Sequence, residues 1–106
     1  MADFVPVVSV DEIAEGTVQA FDVGGVEIAV AQCDGQFYAF TNICTHEYTY
    51  LSEGEVDTDD CVIECPLHGA RFDMATGRVR ALPATEPIKT YPTRVVDGQV
   101  EVAIDE

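Results

Sequence analysis

Four glycine-centred breaks divide this chain into short extended pieces. Gly24-Gly25, Asp34-Gly35, Gly77 and Asp97-Gly98 each fall between runs rich in β-branched or aromatic residues. A two-residue break of the Gly-Gly or Asp-Gly kind supplies positive φ, which a tight β-hairpin requires. The runs are Phe4 to Val10, Thr17 to Val23, Val26 to Cys33, Gln36 to Phe40, Cys61 to Cys65, Arg71 to Asp73, Arg78 to Arg80, Lys89 to Val96 and Gln99 to Ile104. Phe37 and Ala39 alternate with Tyr38 and Phe40, as the two faces of a strand do. Only Asp11 to Glu15 suits a helical turn, with Ser9 or Asp11 as its cap. Residues 43 to 60 show no clean period and read as loop, as do residues 83 to 87. Turns at roughly eight- to twelve-residue intervals with almost no helix give an all-β fold, a small antiparallel sandwich or barrel.

A chain of 106 residues bounds one domain, expected to span 1–106, with a single modest core. An apolar content of 47% argues for a folded globule rather than a disordered acidic segment. No apolar run approaches the roughly 20 residues that cross a bilayer. Met1-Ala2-Asp3-Phe4 is acidic where a signal peptide is basic, so a cytoplasmic protein is expected. The cytosol keeps thiols reduced, and four cysteines there favour metal binding over disulfides. Cys33 ends an apolar run and Cys61 begins one, so both read as small core hydrophobes.

The net charge of −15 excludes nucleic acid as a partner, because phosphate backbones are bound by Lys and Arg. No base precedes Arg71, and seven acids lie between Glu47 and Glu64. Such a run confers solubility at least. It also steers encounters with basic partners in a salt-sensitive way.

Both histidines sit beside cysteines, in Cys44-Thr45-His46 and in Cys65-Pro66-Leu67-His68. Two thiolates and two imidazoles hold either a tetrahedral zinc or a [2Fe–2S] cluster with one iron on sulfur and one on nitrogen. Structural zinc sites space like ligands by two to four residues. Here each pair is mixed, cysteine then histidine, and the first spacing is a single residue. Two loops meeting tip to tip would put the cysteines on one side and the histidines on the other, which serves two irons better than one zinc. Gly69 follows the second pair and permits close backbone approach to an inorganic centre.

Cys44-Thr45-His46 followed by Cys65-Pro66-Leu67-His68-Gly69 resembles the Rieske motif, C-x-H then C-x-x-H-G, with an intervening segment at or slightly beyond the usual length. Arg71-Phe72-Asp73, Thr76-Gly77 and Pro83-Ala84-Thr85-Glu86-Pro87 extend the likeness to soluble Rieske ferredoxins of bacterial aromatic-ring dioxygenase systems. The resemblance implies a Rieske-type fold with a cluster-binding subdomain of two loops, over roughly residues 42–82. It implies one [2Fe–2S] cluster, with Cys44 and Cys65 on the inner iron and His46 and His68 on the outer. Two ferric ions, two sulfides and two thiolates sum to zero charge, whereas four thiolates leave the cluster negative; the neutral cluster accepts an electron more readily.

The flanks point to the low end of the Rieske range. High-potential members resemble C-T-H-x-x-C and C-P-C-H, the extra cysteines bracing the loops. Here Thr49 and Leu67 stand at those places. High-potential members also carry a serine and a tyrosine that donate to cluster sulfur, where this chain has Ala70 and Phe72, which cannot donate. Tyr48, Tyr50, Leu51 and Pro83 either cover the cluster or simply pack their loops.

What the resemblance implies is a monomeric, low-potential one-electron carrier that is not itself an enzyme. It would take electrons from an NAD(P)H-dependent flavin reductase and pass them to the Rieske centre of a terminal aromatic-ring dioxygenase. The chain has no nucleotide-binding glycine motif and no histidines left for a mononuclear iron site. The small Rieske-like subunit of an assimilatory nitrite reductase is the alternative, disfavoured because those often lack the ligands kept here. A zinc-binding interaction module stands third.

Overall fold

The computed structural model describes residues 4–44, 49–66, 69–81 and 86–104. β1 (Phe4–Ser9) runs into a 3-10 turn over Val10–Glu12, where the Asp11 amide donates to the Ser9 hydroxyl at 3.3 Å. β2 (Val18–Val23), β3 (Val26–Cys33) and β4 (Gln36–Thr41) follow as a meander. A second 3-10 turn at Leu51–Glu53 leads to β5 (Glu55–Asp57), β6 (Val62–Glu64), β7 (Arg71–Asp73) and β8 (Val79–Ala81). β9 (Thr90–Tyr91), β10 (Thr93–Val96) and β11 (Gln99–Ala103) complete the order. At each expected hairpin both central residues take positive φ, as at Asp34 (56°) and Gly35 (78°).

The strands form three antiparallel sheets. β1, β11 and β10 make one, β2, β3, β4 and β9 the second, and β5, β6, β7 and β8 the third. The second sheet is the middle layer, and its strands β3 and β4 bury side chains on both faces. Ile28, Val30 and Ala39 point into a core with Ile13, Val100 and Val102. Their neighbours Ala29, Ala31 and Phe40 point the other way, into a core with Leu51, Ile63, Phe72 and Met74. The alternation expected along Phe37 to Phe40 is therefore present: Phe37 and Ala39 join the first core, Tyr38 and Phe40 the second. Burying a side chain such as Phe40 or Phe72 stabilises by about 2–3 kcal/mol.

Three features differ from the sequence reading. Residues 43 to 60 are not loop throughout, because Leu51–Glu53 forms a turn of helix and Glu55–Asp57 pairs with Val62–Glu64. The run from Lys89 to Val96 is two strands. Pro92 ends β9, which pairs with β4, and β10 then crosses to pair with β11. Pro92 has no amide to offer a ladder, yet its carbonyl accepts from the Ala103 amide at 3.0 Å and holds the crossing in place.

The third is a correction. Cys33 and Cys61 are not separate core thiols but a disulfide, with their Cα atoms 5.7 Å apart. The pairing is non-local. β3 ends at Cys33 directly beneath the turn between β5 and β6, where Cys61 adopts φ 54°. Expected reducing surroundings were a poor guide to what the fold brings together. Among the described residues no helix is long and apolar enough to cross a membrane.

Candidate metal centre

Two loops are built alike. In the first, the Cys44 amide donates to the Thr49 carbonyl at 3.0 Å; in the second, the Cys65 amide donates to the Ala70 carbonyl at 2.7 Å. Each loop thus starts with a cysteine and is closed by one backbone bond to the residue five positions on. His46 lies inside the first loop and His68 inside the second; both are outside the described residues, as are Thr45, Glu47, Tyr48, Leu67 and Pro83.

β4 delivers the first loop. An isolated bridge pairs Ile43 with Tyr50 at its base. Below that bridge Asn42, 1% exposed, is the one fully buried polar residue among those described. Its side-chain amide donates to Glu27 Oε2 at 2.9 Å, and its Oδ1 accepts from the Ser52 amide at 2.8 Å. Its own carbonyl accepts from the Leu51 amide at 2.8 Å. One side chain and its backbone therefore pin both stems of the Cys44 loop to β3. A buried amide with its partners met rigidifies what it joins. Sequence reasoning missed Asn42, whose only signal is an asparagine where an apolar strand ends.

The second loop joins β6 to β7. Gly69 takes φ 73°, a conformation favouring glycine, and turns the chain back toward Ala70. Beneath it, β5 is locked to β7 by an ion pair between Asp57 and Arg71, which reaches across β6. The Arg71 guanidinium holds the Asp57 carboxyl below its ordinary value. Arg71 Nε is buried with no hydrogen-bond acceptor and faces Glu64 Oε1 at 3.8 Å. Asp57 also accepts from the Asp59 amide at 3.0 Å, so this acid of the 47–64 run has a structural task.

Cys44 and Cys65 are 3% and 1% exposed and share one core with Leu51, Ile63, Ala70 and Phe72. With Cys33 and Cys61 committed to each other, these are the two thiols outside the disulfide. Their setting fits the inner side of a cluster: two buried soft donors, on two closed loops, in one apolar core. Ala70 and Phe72, both fully buried, bring no hydroxyl to that side. Leu51 is fully buried in the same core as the two cysteines. Outside, Glu53, Gly54, Glu55, Glu64, Cys65 and Pro66 line a hollow of about 230 Å³, so three acids rim the start of the second loop.

Comparison with known proteins agrees with this geometry. Residues 3–92 match the model of the Rieske [2Fe–2S] domain. The anthranilate 1,2-dioxygenase ferredoxin subunit of Burkholderia cepacia is 41% identical over 98% of this chain and 94% of its own length. The ferredoxin of carbazole 1,9a-dioxygenase from Nocardioides aromaticivorans superposes with a TM-score of 0.93 at 36% identity, over 98% of this chain and 100% of that one. A ferredoxin bound to its oxygenase in the carbazole 1,9a-dioxygenase system superposes at 0.86 with 38% identity, over 94% and 92%. The donor set, the paired loops and these relatives together place the chain in the Rieske [2Fe–2S] domain family.

Proposed function

We propose that this chain is the ferredoxin component of an aromatic-ring dioxygenase system, a one-electron carrier rather than a catalyst. The observation that carries the reading is the pair of cysteine-led loops, each closed by a single backbone bond and each keeping its thiol in a shared apolar core. In this reading Cys44 and Cys65 bind the inner iron of one Rieske cluster, and His46 and His68 bind the outer. The bound cluster supplies reversible uptake of one electron. The chain's own part is to hold two thiolates away from water and to keep the loops rigid through Asn42 and the Asp57–Arg71 pair. Residues 42–82 make up the cluster-binding part of a single domain.

The partners follow from the relatives. A flavin-dependent NAD(P)H reductase loads the carrier and a terminal oxygenase unloads it, in the cytoplasm, with the carrier acting as a monomer. The acids rimming the second loop favour basic docking faces on both partners. The potential lies at the low end of the Rieske range, because no side-chain hydroxyl at positions 70 or 72 stabilises the reduced state.

An absorption spectrum tests the cofactor: a brown protein whose broad visible bands bleach with dithionite is expected, and a colourless one sinks the reading. His68→Cys then tests the ligand set. A lowered potential or a lost cluster is expected, while an unchanged potential removes His68 from the ligands. Mixing the protein with a reductase and an oxygenase of a related system tests the role. Product formation should depend on the carrier and weaken with added salt.

A further inference from the structure

The Cys33–Cys61 bridge lies in an unusual place for a disulfide that merely adds stability. It joins the middle sheet to the sheet of β5 to β8, whose strands share no ladder with it. The segment it closes, residues 34–60, contains the whole Cys44 loop. Its far end, Cys61, stands four residues before Cys65, immediately before the strand that delivers the second loop. Cys33 belongs to the same core as Cys44 and Cys65, and Cys61 packs against that core. One bond therefore restrains the stems of both loops.

The two sulfurs are not equivalent. Cys33 is fully buried, with Sγ 3.6 Å from the Thr58 carbonyl, whereas Cys61 is partly exposed on a turn. Cys61 also holds φ 54°, a region that non-glycine residues enter at a cost, so cutting the bridge frees it to relax.

We propose that the Cys33–Cys61 disulfide is a reducible strap that sets how firmly the two loops retain the cluster. The inference rests on Cys44 and Cys65 being ligands. A dithiol reductant opens the strap. One of its thiolates attacks Cys61 Sγ, forming a mixed disulfide and releasing the Cys33 thiolate, which takes a proton. The reductant's second thiol then displaces Cys61 as a thiol, so that two electrons and two protons have passed and the reductant leaves as a disulfide. The carrier's own electron does not serve, since the cluster takes up one electron and opening the bridge consumes two. Once open, residues 34–60 are held by strand ladders, the Asn42 hydrogen bonds, the Asp57–Arg71 pair and packing, with no covalent cross-link, and the loops part more readily.

The test uses the brown holoprotein under anaerobic conditions. Mass spectrometry after alkylation of the denatured chain should count two modified cysteines without dithiothreitol and four with it. The visible bands are then followed while an iron chelator removes the metal. Reduction should speed bleaching roughly tenfold, since closing a loop of this length is worth more than one decade in an equilibrium. The double variant Cys33→Ala, Cys61→Gly should bleach at the faster rate with or without dithiothreitol, which separates the strap from direct attack on the cluster. If the variant does not fold, the wild-type protein before and after reduction, with the reductant then removed, makes the same comparison. Equal bleaching rates with four cysteines confirmed, or four alkylated without reductant, overturn the strap and leave the electron-carrier reading intact. A colourless preparation overturns the ligand reading first.

Discussion

Gly54 meets the backbone of Glu64 so closely that a Cβ on it would stand 1.9 Å from the Glu64 carbonyl oxygen. Its φ of −88° is open to any residue, so the constraint is space, not conformation. Glu64 immediately precedes Cys65, and an alanine at 54 must push β6 outward to fit. Gly54→Ala is expected to lower the melting temperature by roughly 10 °C, in keeping with overpacking at the upper end of its usual cost. It should also accelerate cluster loss. Unchanged melting by circular dichroism would show that β6 yields freely.

Ala70 offers a cleaner handle on the potential. It is fully buried in the core shared by Cys44 and Cys65, and its carbonyl is held by the Cys65 amide at 2.7 Å. A serine there places one hydroxyl in surroundings where cluster sulfur is its natural acceptor. One such bond, worth about 1 kcal/mol to the reduced state, raises a one-electron couple by roughly 40 mV. A redox titration of Ala70→Ser reads this directly, and a fall in potential contradicts it.

The Asp57–Arg71 pair predicts a dependence on acid. The Asp57 hydrogen bond from Arg71 lowers its pKa in the folded chain below the ordinary 3.8. Its contribution is thus fully present above that value and is lost as pH falls through the lower, folded pKa. Urea unfolding of wild type and Asp57→Asn should differ at pH 7 and converge as acidification protonates Asp57 in the folded chain. A gap that stays constant on acidification means that the pair does not hold β5 to β7 electrostatically.

The hairpins were legible because Gly24-Gly25, Asp34-Gly35 and Asp97-Gly98 carry their conformation in their own chemistry. The two cysteines of the loops were legible for a similar reason, each lying beside a histidine in sequence. What escaped was decided at a distance. Glu55-Val56-Asp57 has too little apolar character to announce a strand, and it exists because Val62–Glu64 lies alongside. Nothing within the run from Lys89 to Val96 says that Pro92 changes sheets, since the reason is β11 waiting on the far side. The disulfide spans 28 positions and has no local signature at all. Asn42 looked like any polar residue after a strand until Glu27 and Ser52 appeared beside it.

The middle sheet carries one more consequence. Along β3 the side chains facing the cysteine loops are small, Ala29 and Ala31, while those facing away are Ile28 and Val30. The sheet acts as a bulkhead, with the redox chemistry on one side and an ordinary aliphatic core on the other. Substitutions at Val100 or Val102 should therefore combine additively with substitutions around Cys44 and Cys65. The far compartment could then be redesigned for thermal endurance, or shortened at its hairpins, while the electron-carrying compartment is left as it is.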